Sequence, residues 1–206
     1  MNDLIAFVGG GNMTTALIAG LTQKYPSARI VVADRNAGKR DNLQARFGVI
    51  AMPAQADLPD ADVLVLAVKP ADMRPVCKQA RGKIIVSIAA GLRLARMAQW
   101  FATPPSVIAR AMPNTPAAVA LGLTVCHAAP TVSHEDQQKI TALFAAAGDV
   151  VWADKEAMLD VAAAVSGGGP AYAYYLMEAM QEAAENMGMT PDLARRATAQ
   201  TLYGAG

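Results

Sequence analysis

Leu4-Ile5-Ala6-Phe7-Val8-Gly9-Gly10-Gly11-Asn12-Met13-Thr14 decides the architecture of most of this 206-residue chain. Its first five residues are an apolar run of strand length, ended by three glycines. Met13, Leu17 and Leu21 then recur four residues apart, on one face of a helix. Strand, glycine turn and helix in that order make a unit suited to a phosphate. Gly9 allows the tight turn, Gly11 lets the backbone approach the anion, and the positive end of the helix, opened by Asn12 and Met13, faces it. The generic pattern asks for Gly or Ala where this chain has Thr14.

Working outward, the same alternation continues. Ile30 to Ala33 reads as a second strand, Ala37 to Phe47 as a polar helix, and Val49 to Met52 as a short strand. Val63 to Val68 is an unbroken apolar run, as expected of a central parallel strand buried on both faces. Ile84 to Ile88 repeats that signature, Val107 to Arg110 repeats it more weakly, and Leu92 to Phe101 supplies a helix between them. Leu123 to Cys126 and Val150 to Trp152 flank a helix begun by Ser133, with Glu135 and Asp136 in its first turn. The expectation is a Rossmann-like, doubly wound α/β fold with a mostly parallel sheet over residues 1–153.

Strand signals stop near Asp154. Lys155 to Val165, Ala171 to Met187 and Pro191 to Ala205 read as helices, the last with Thr190 as N-cap and Pro191 at its first position. Residues 154–206 are therefore expected to form a small all-helical C-terminal domain. Three helices of this length cannot enclose a core alone, so their apolar faces are expected to pair with a second copy as a homodimer or larger homo-oligomer.

Composition narrows the function. Apolar residues make up 53% and charged residues 17%, below the roughly 25% of an average soluble domain. The formal net charge is +1 with no basic block, so neither nucleic acid nor an anionic membrane is an expected partner. No apolar run approaches the roughly 20 residues that span a bilayer, and the start lacks a signal-peptide pattern. Cys77 and Cys126 read as reduced thiols of a cytoplasmic protein. His127 and His134 fit no metal-ligand spacing, and no metal is expected.

The second strand ends in Asp34-Arg35, where an acid accepts hydrogen bonds from the adenosine ribose of NAD and an arginine receives the 2′-phosphate of NADP. Both are present. With Asp34 turned outward, the planar donors of Arg35 favour NADPH, with NADH possible.

Three further stretches have the character of ligand turns. Ala67-Val68-Lys69-Pro70 closes the fourth strand, Arg110-Ala111-Met112-Pro113-Asn114-Thr115-Pro116 closes a later one, and Ser166-Gly167-Gly168-Gly169-Pro170-Ala171-Tyr172 opens a helix. With Gly-x-Gly-Asn-Met at the start and Gln200-Thr201, Gly204-Ala205 at the end, this set in this order resembles the pyrroline-5-carboxylate reductase family along the whole chain. The resemblance implies hydride transfer from a reduced nicotinamide to the imine carbon of 1-pyrroline-5-carboxylate, giving L-proline in the last step of its biosynthesis. It further implies that Ala67, Val68, Lys69, Pro70 and the Ala89-Ala90-Gly91 turn line the cofactor cleft and that Asn114 sits near the nicotinamide. Backbone amides of Gly168, Gly169 and Ala171 would hold the substrate carboxylate, with Ser166 in support; Pro170 cannot donate. A protonated imine already accepts hydride well, and no side chain is assigned as catalytic.

Two departures stand out. The family commonly has Ser-Gly-Ser-Gly-Pro where this chain has Gly168 in place of the second serine. Relatives also continue into a Ser-Pro-Gly-Gly-Thr-Thr type loop, whereas this chain ends at Gly206 in a helix-like stretch, as a trimmed form would. A hydroxyacid-type dehydrogenase shares the amino-terminal architecture, but it needs a lysine or histidine acid that Ser166 to Glu178 does not offer. A non-catalytic NADPH-binding protein is the reading from a different class.

Overall fold

The computed structural model describes residues 3–54, 56 and 58–205. Met1, Asn2 and the terminal Gly206 lie outside them. The chain divides into two compact units, residues 1–167 and 168–206.

The first unit is a sheet of eight strands in the order β3-β2-β1-β4-β5-β6-β7-β8. These are β1 (Leu4–Val8), β2 (Arg29–Asp34), β3 (Ile50–Pro53), β4 (Ala61–Leu66), β5 (Gly82–Ser87), β6 (Val107–Met112), β7 (Gly122–Ala128) and β8 (Gly148–Trp152). Every neighbouring pair is parallel except β6 and β7, where Arg110 lies opposite His127. The connecting helices are α1 (Asn12–Lys24), α2 (Ala37–Phe47), α3 (Met73–Gln79), α4 (Leu94–Ala98), α5 (His134–Phe144) and α6 (Met158–Ala162).

Period-two alternation along the central strands sends side chains into two separate cores. Ile5, Phe7, Val63, Val65, Ile84 and Val86 pack on one face with Leu17, Leu21 and Phe144. Leu4, Ala6, Leu64, Leu66 and Ile85 pack on the other with Met73, Cys77 and Met97. Covering both faces is what lets β4 carry an unbroken apolar run. The strand order reverses direction between β1 and β4, so the helices that follow these two strands, α1 and α3, cover opposite faces of the sheet at a switch point of the kind where ligands bind.

Several local readings differ from the structure. The helix expected over Leu92 to Phe101 is only α4, because Gly91 has φ +73° and Arg93 is extended. Helix α3 gave no periodic signal; it is seven residues long with Pro75 inside it, and Met73 and Cys77 are its only buried residues. The change of pattern near Asp154 does not mark the end of the first compact unit, which continues through α6 and a π-helical turn at Ala163–Gly167.

The second unit is helix α7 (Gly169–Asn186) and helix α8 (Pro191–Ala205), joined by a turn in which Gly188 has φ +103° and the Met189 amide donates to the Ala184 carbonyl. Along the two helices only Ala184, Ala194 and Thr198 are buried. Tyr172, Tyr174, Tyr175 and Leu176 are at least half exposed. No helix among the described residues is long and apolar enough to cross a membrane.

Both cysteines are buried and free. Burial pushes the Cys77 thiol up to about 11 and the Cys126 thiol up to about 12. Since the thiolate is the nucleophile, burial holds both sulfurs in the less reactive thiol form near neutral pH. In the folded protein at pH 8 a thiol-reactive disulfide reagent is expected to leave both unmodified over the time that a free thiol reacts, and to titrate both once denaturant is added. Fast reaction of either in the folded state would contradict this.

Candidate functional site

Gly9 holds the turn after β1. Its φ is +106°, and a Cβ there would stand 2.5 Å from the Ala67 carbonyl oxygen. The loops after β1 and β4 are therefore in direct backbone contact, which the Ala67 amide strengthens by donating to Val8 O at 2.8 Å. Thr14 departs from the generic pattern for a reason that lies in the same turn. It is fully buried, and its hydroxyl donates to Gly9 O at 2.6 Å, pinning the loop to the first turn of α1.

Gly11 is different in kind. Its backbone is ordinary (φ −79°, ψ −177°), and a Cβ would meet nothing within 4 Å. Space is left open there, at the N-cap of a 13-residue helix with no side-chain cap and no acid in its first turn. Asn12 is exposed and Met13 half-buried beside it. Amides with that exposure, at the positive end of α1, suit a pyrophosphate.

Asp34 does not turn outward. It is 9% exposed, accepting from the Gly10 amide at 2.6 Å and from the Asn36 amide at 2.7 Å, one bond to each oxygen. Its carbonyl also accepts from Arg40 Nη1 at 2.8 Å. The carboxylate thus braces the glycine loop from behind. Arg35 projects into solvent with its side chain 77% exposed and makes a loose, exposed pair with Asp72 at 3.7 Å. The residues fit a dinucleotide: an open glycine at an uncapped helix start, and an unencumbered guanidinium at the tip of β2.

The remaining turns gather along the same carboxyl edge of the sheet. Lys69 and Pro70 are exposed, Ala67 and Val68 half-buried, and Asp72 N donates to Lys69 O in the 3₁₀ turn that follows. The Ile88 amide donates to Leu66 O, which brings the Ala89-Ala90-Gly91 turn beside the end of β4; Ala89 is buried, Ala90 exposed. Asn114 follows β6 and is 9% exposed. Its Oδ1 accepts from the Leu123 amide at 2.8 Å, and its Nδ2 donates to Ser166 O at 3.0 Å. Its amide therefore clamps backbone on both sides.

The helix-start residues are placed less simply than their spacing suggests. The Ser166 hydroxyl donates to Ala162 O at 2.9 Å within the π-helical turn, so what remains for a ligand is acceptor capacity. The Ala171 amide donates to Gly168 O at 3.0 Å and is not available to a carboxylate. At Gly169 a Cβ would meet nothing within 4 Å, so the backbone there is open to approach.

The sequence marked Arg110 only as the end of a weak strand and the head of a turn, with no role of its own. Arg110, near the end of β6, is 2% exposed and pairs with Glu156 (2.9 Å) and Asp160 (3.6 Å). Glu156 Oε1 also accepts from the Leu94 amide at 2.7 Å, and Asp160 also pairs with Arg93 at 2.6 Å. An arginine in an apolar strand, followed by two acids four apart, is the signal that was there to be read.

Comparisons with known proteins show what this chain is similar to. Residues 4–91 match a family described as NADP oxidoreductase coenzyme F420-dependent, and residues 156–206 match pyrroline-5-carboxylate reductase dimerisation. The pyrroline-5-carboxylate reductase of Pseudomonas aeruginosa is 40% identical over 98% of this chain and 76% of its own length. A pyrroline-5-carboxylate reductase structure from Coxiella burnetii is 35% identical with a TM-score of 0.90, covering 100% of this chain and 78% of that one. The Plasmodium falciparum pyrroline carboxylate reductase, solved with NADP bound, shares the fold at 24% identity, with a TM-score of 0.81 over 98% of this chain and 77% of that one. By sequence and fold together, this chain belongs to the pyrroline-5-carboxylate reductase family.

Proposed function

We propose that this chain reduces 1-pyrroline-5-carboxylate to L-proline, the closing step of proline biosynthesis, with the cofactor held at the carboxyl edge of β1, β2, β4 and β5. The observation that carries the reading is the open Gly11 at the uncapped start of α1, backed by the inward Asp34 and the outward Arg35. Gly9, Gly11, Asn12 and Met13 receive the pyrophosphate. Arg35 receives the 2′-phosphate and makes NADPH the preferred cofactor over NADH, while Asp34 supports the loop. Ala67, Val68, Lys69 and Pro70 line one wall with Ala89 and Ala90, and Asn114 positions backbone.

The backbone amide of Gly169 takes the substrate carboxylate, with Gly168 beside it giving its own amide to the π-helical turn; the Ser166 hydroxyl, already donating to Ala162, offers its lone pairs to the protonated imine nitrogen. Bound NADPH supplies the hydride. What this chain supplies is orientation and exclusion of water, and no side chain is required to transfer a proton before an imine accepts hydride. The exposed tyrosines of α7 and the match of residues 156–206 support pairing with a second copy through this region. Two buried free thiols suit a reducing compartment, and we assign the chain to the cytoplasm.

The test follows NADPH absorbance and proline formation with 1-pyrroline-5-carboxylate, for the protein and for Gly169→Val. The protein is expected to consume NADPH in step with proline. The variant is expected to lose at least about tenfold in kcat/KM with NADPH affinity unchanged, as follows from removing substrate binding alone. Nucleotide binding without turnover would favour a non-catalytic NADPH-binding protein instead. An unaffected Gly169→Val would remove the carboxylate from this turn.

A further inference from the structure

Three residues at alternate positions along one chain segment act on one short stretch. Arg110 and Met112 lie on the same face of β6, and Asn114 continues the alternation in extended backbone (φ −126°, ψ 169°). Arg110 pairs with Glu156 and Asp160. The Met112 methyl stands 3.1 Å from where a Cβ on Gly167 would be. Asn114 Nδ2 holds the Ser166 carbonyl. The twelve residues from Glu156 to Gly167 are thus tied near their start to β6 and near their end to the segment that continues it. Between those ties the chain runs through a π-helical turn, a form often found at functional sites and uncommon elsewhere.

We propose that this face of β6 is a rail that sets the position of the Ser166 turn, and that Arg110 is a positioning residue for capture of the substrate carboxylate. The proposal rests on the reading that the chain from Ser166 to Gly169 binds substrate. Arg110 is suited to the part because its charge is buried and its ionic partners among the described residues, Glu156 and Asp160, belong to the stretch being positioned. Its Nε has no hydrogen-bond partner among the described residues. If the stretch from Glu156 shifts, a buried guanidinium loses both carboxylates, and burying an unpaired charge is strongly unfavourable. The stretch therefore has one stable setting. Its second tie has the same rigidity, since Asn114 is itself held by the Leu123 amide. Glu156 also caps α4 through Leu94, so the helix following the Ala89-Ala90-Gly91 turn is held by the same carboxylate.

The experiment compares Arg110→Met, Arg110→Lys and Glu156→Gln with the unaltered protein, measuring the KM for 1-pyrroline-5-carboxylate, kcat, the dissociation constant of NADPH and the melting temperature. Arg110→Met is expected to raise the KM by about tenfold, with kcat and NADPH affinity within about twofold, the pattern of lost ground-state binding. Arg110→Lys keeps the charge without the fork and is expected to recover part of the loss. Glu156→Gln keeps an acceptor for Leu94 and weakens only the ion pair; it decides the matter by the same criterion if Arg110→Met does not fold. A lowered melting temperature with an unchanged KM would make the network structural only and overturn the proposal. So would equal losses for imine and NADPH. Gly169→Val separates the two levels: if it raises the KM while the Arg110 and Glu156 variants do not, the substrate reading stands and the rail alone fails.

Discussion

Replacing Gly11 by valine is expected to remove nucleotide binding and to leave the melting temperature unchanged. The two halves of this result come from the same fact. A Cβ at Gly11 meets no neighbouring atom within 4 Å, and its backbone is in a region open to any residue, so the fold is expected to lose nothing. The valine would instead fill the space in front of the first amides of α1. Two hydrogen bonds to a charged group are worth about 1.5–3 kcal/mol each, so the affinity for NADPH and NADH alike should fall by more than about 100-fold. Gly9→Ala is the control with the opposite signature. There the new methyl meets the Ala67 carbonyl, in backbone that non-glycine residues adopt at a cost of about 1–3 kcal/mol, and stability falls with binding. Equilibrium titration of nucleotide fluorescence, alongside thermal melts, distinguishes the two. Unchanged nucleotide affinity in a folded Gly11→Val protein would make the turn purely structural.

Arg35→Ala is expected to weaken NADPH by roughly 10- to 100-fold, the equivalent of one charge-assisted contact at about 1.5–3 kcal/mol. NADH, which lacks the 2′-phosphate, should change less than about twofold. The discrimination depends on Arg35 being free to turn. Its pairing with Asp72 at 3.7 Å is solvent-exposed on both sides, and such pairs contribute about 0–1 kcal/mol. Asp34 does not compete for the phosphate's place, since both its oxygens are engaged by backbone amides. Equal losses for both nucleotides would end the assignment and move attention to the ribose contacts.

The sequence was most legible where each signal was local. Apolar run, glycines and helical spacing from Leu4 to Leu21 are all read within one window, and β1, the turn and α1 appear as expected. Thr190 and Pro191 likewise mark the start of α8. Legibility failed where a side chain answers to a distant partner. Asp34 turns inward because the Gly10 amide waits for it, 24 residues earlier in the chain. Arg110 looked like the ragged end of a weak strand, and its meaning depends on Glu156, 46 residues later, and on Asp160 beyond it. Ser166 was expected in support of the carboxylate-holding amides, yet a π-helical turn, which has no sequence period of its own, directs its hydroxyl back to Ala162. The boundary near Asp154 marked where strands end, and the start of the matched dimerisation segment at residue 156 lies beside it. The packing of α6 through Leu159 and Ala162 was invisible to that criterion.

The sparse burial along α7 and α8 has a consequence for handling the protein. Two helices that sequester only Ala184, Ala194 and Thr198 draw little free energy from their own interior. Whatever order they hold in solution is then supplied by association, and association obeys mass action. Their melting should shift upward with protomer concentration, while the sheet, with two filled cores, should melt at a temperature indifferent to it. Dilution would act on this protein as a selective denaturant, loosening the tyrosine-bearing helices while the nucleotide-binding half stays whole.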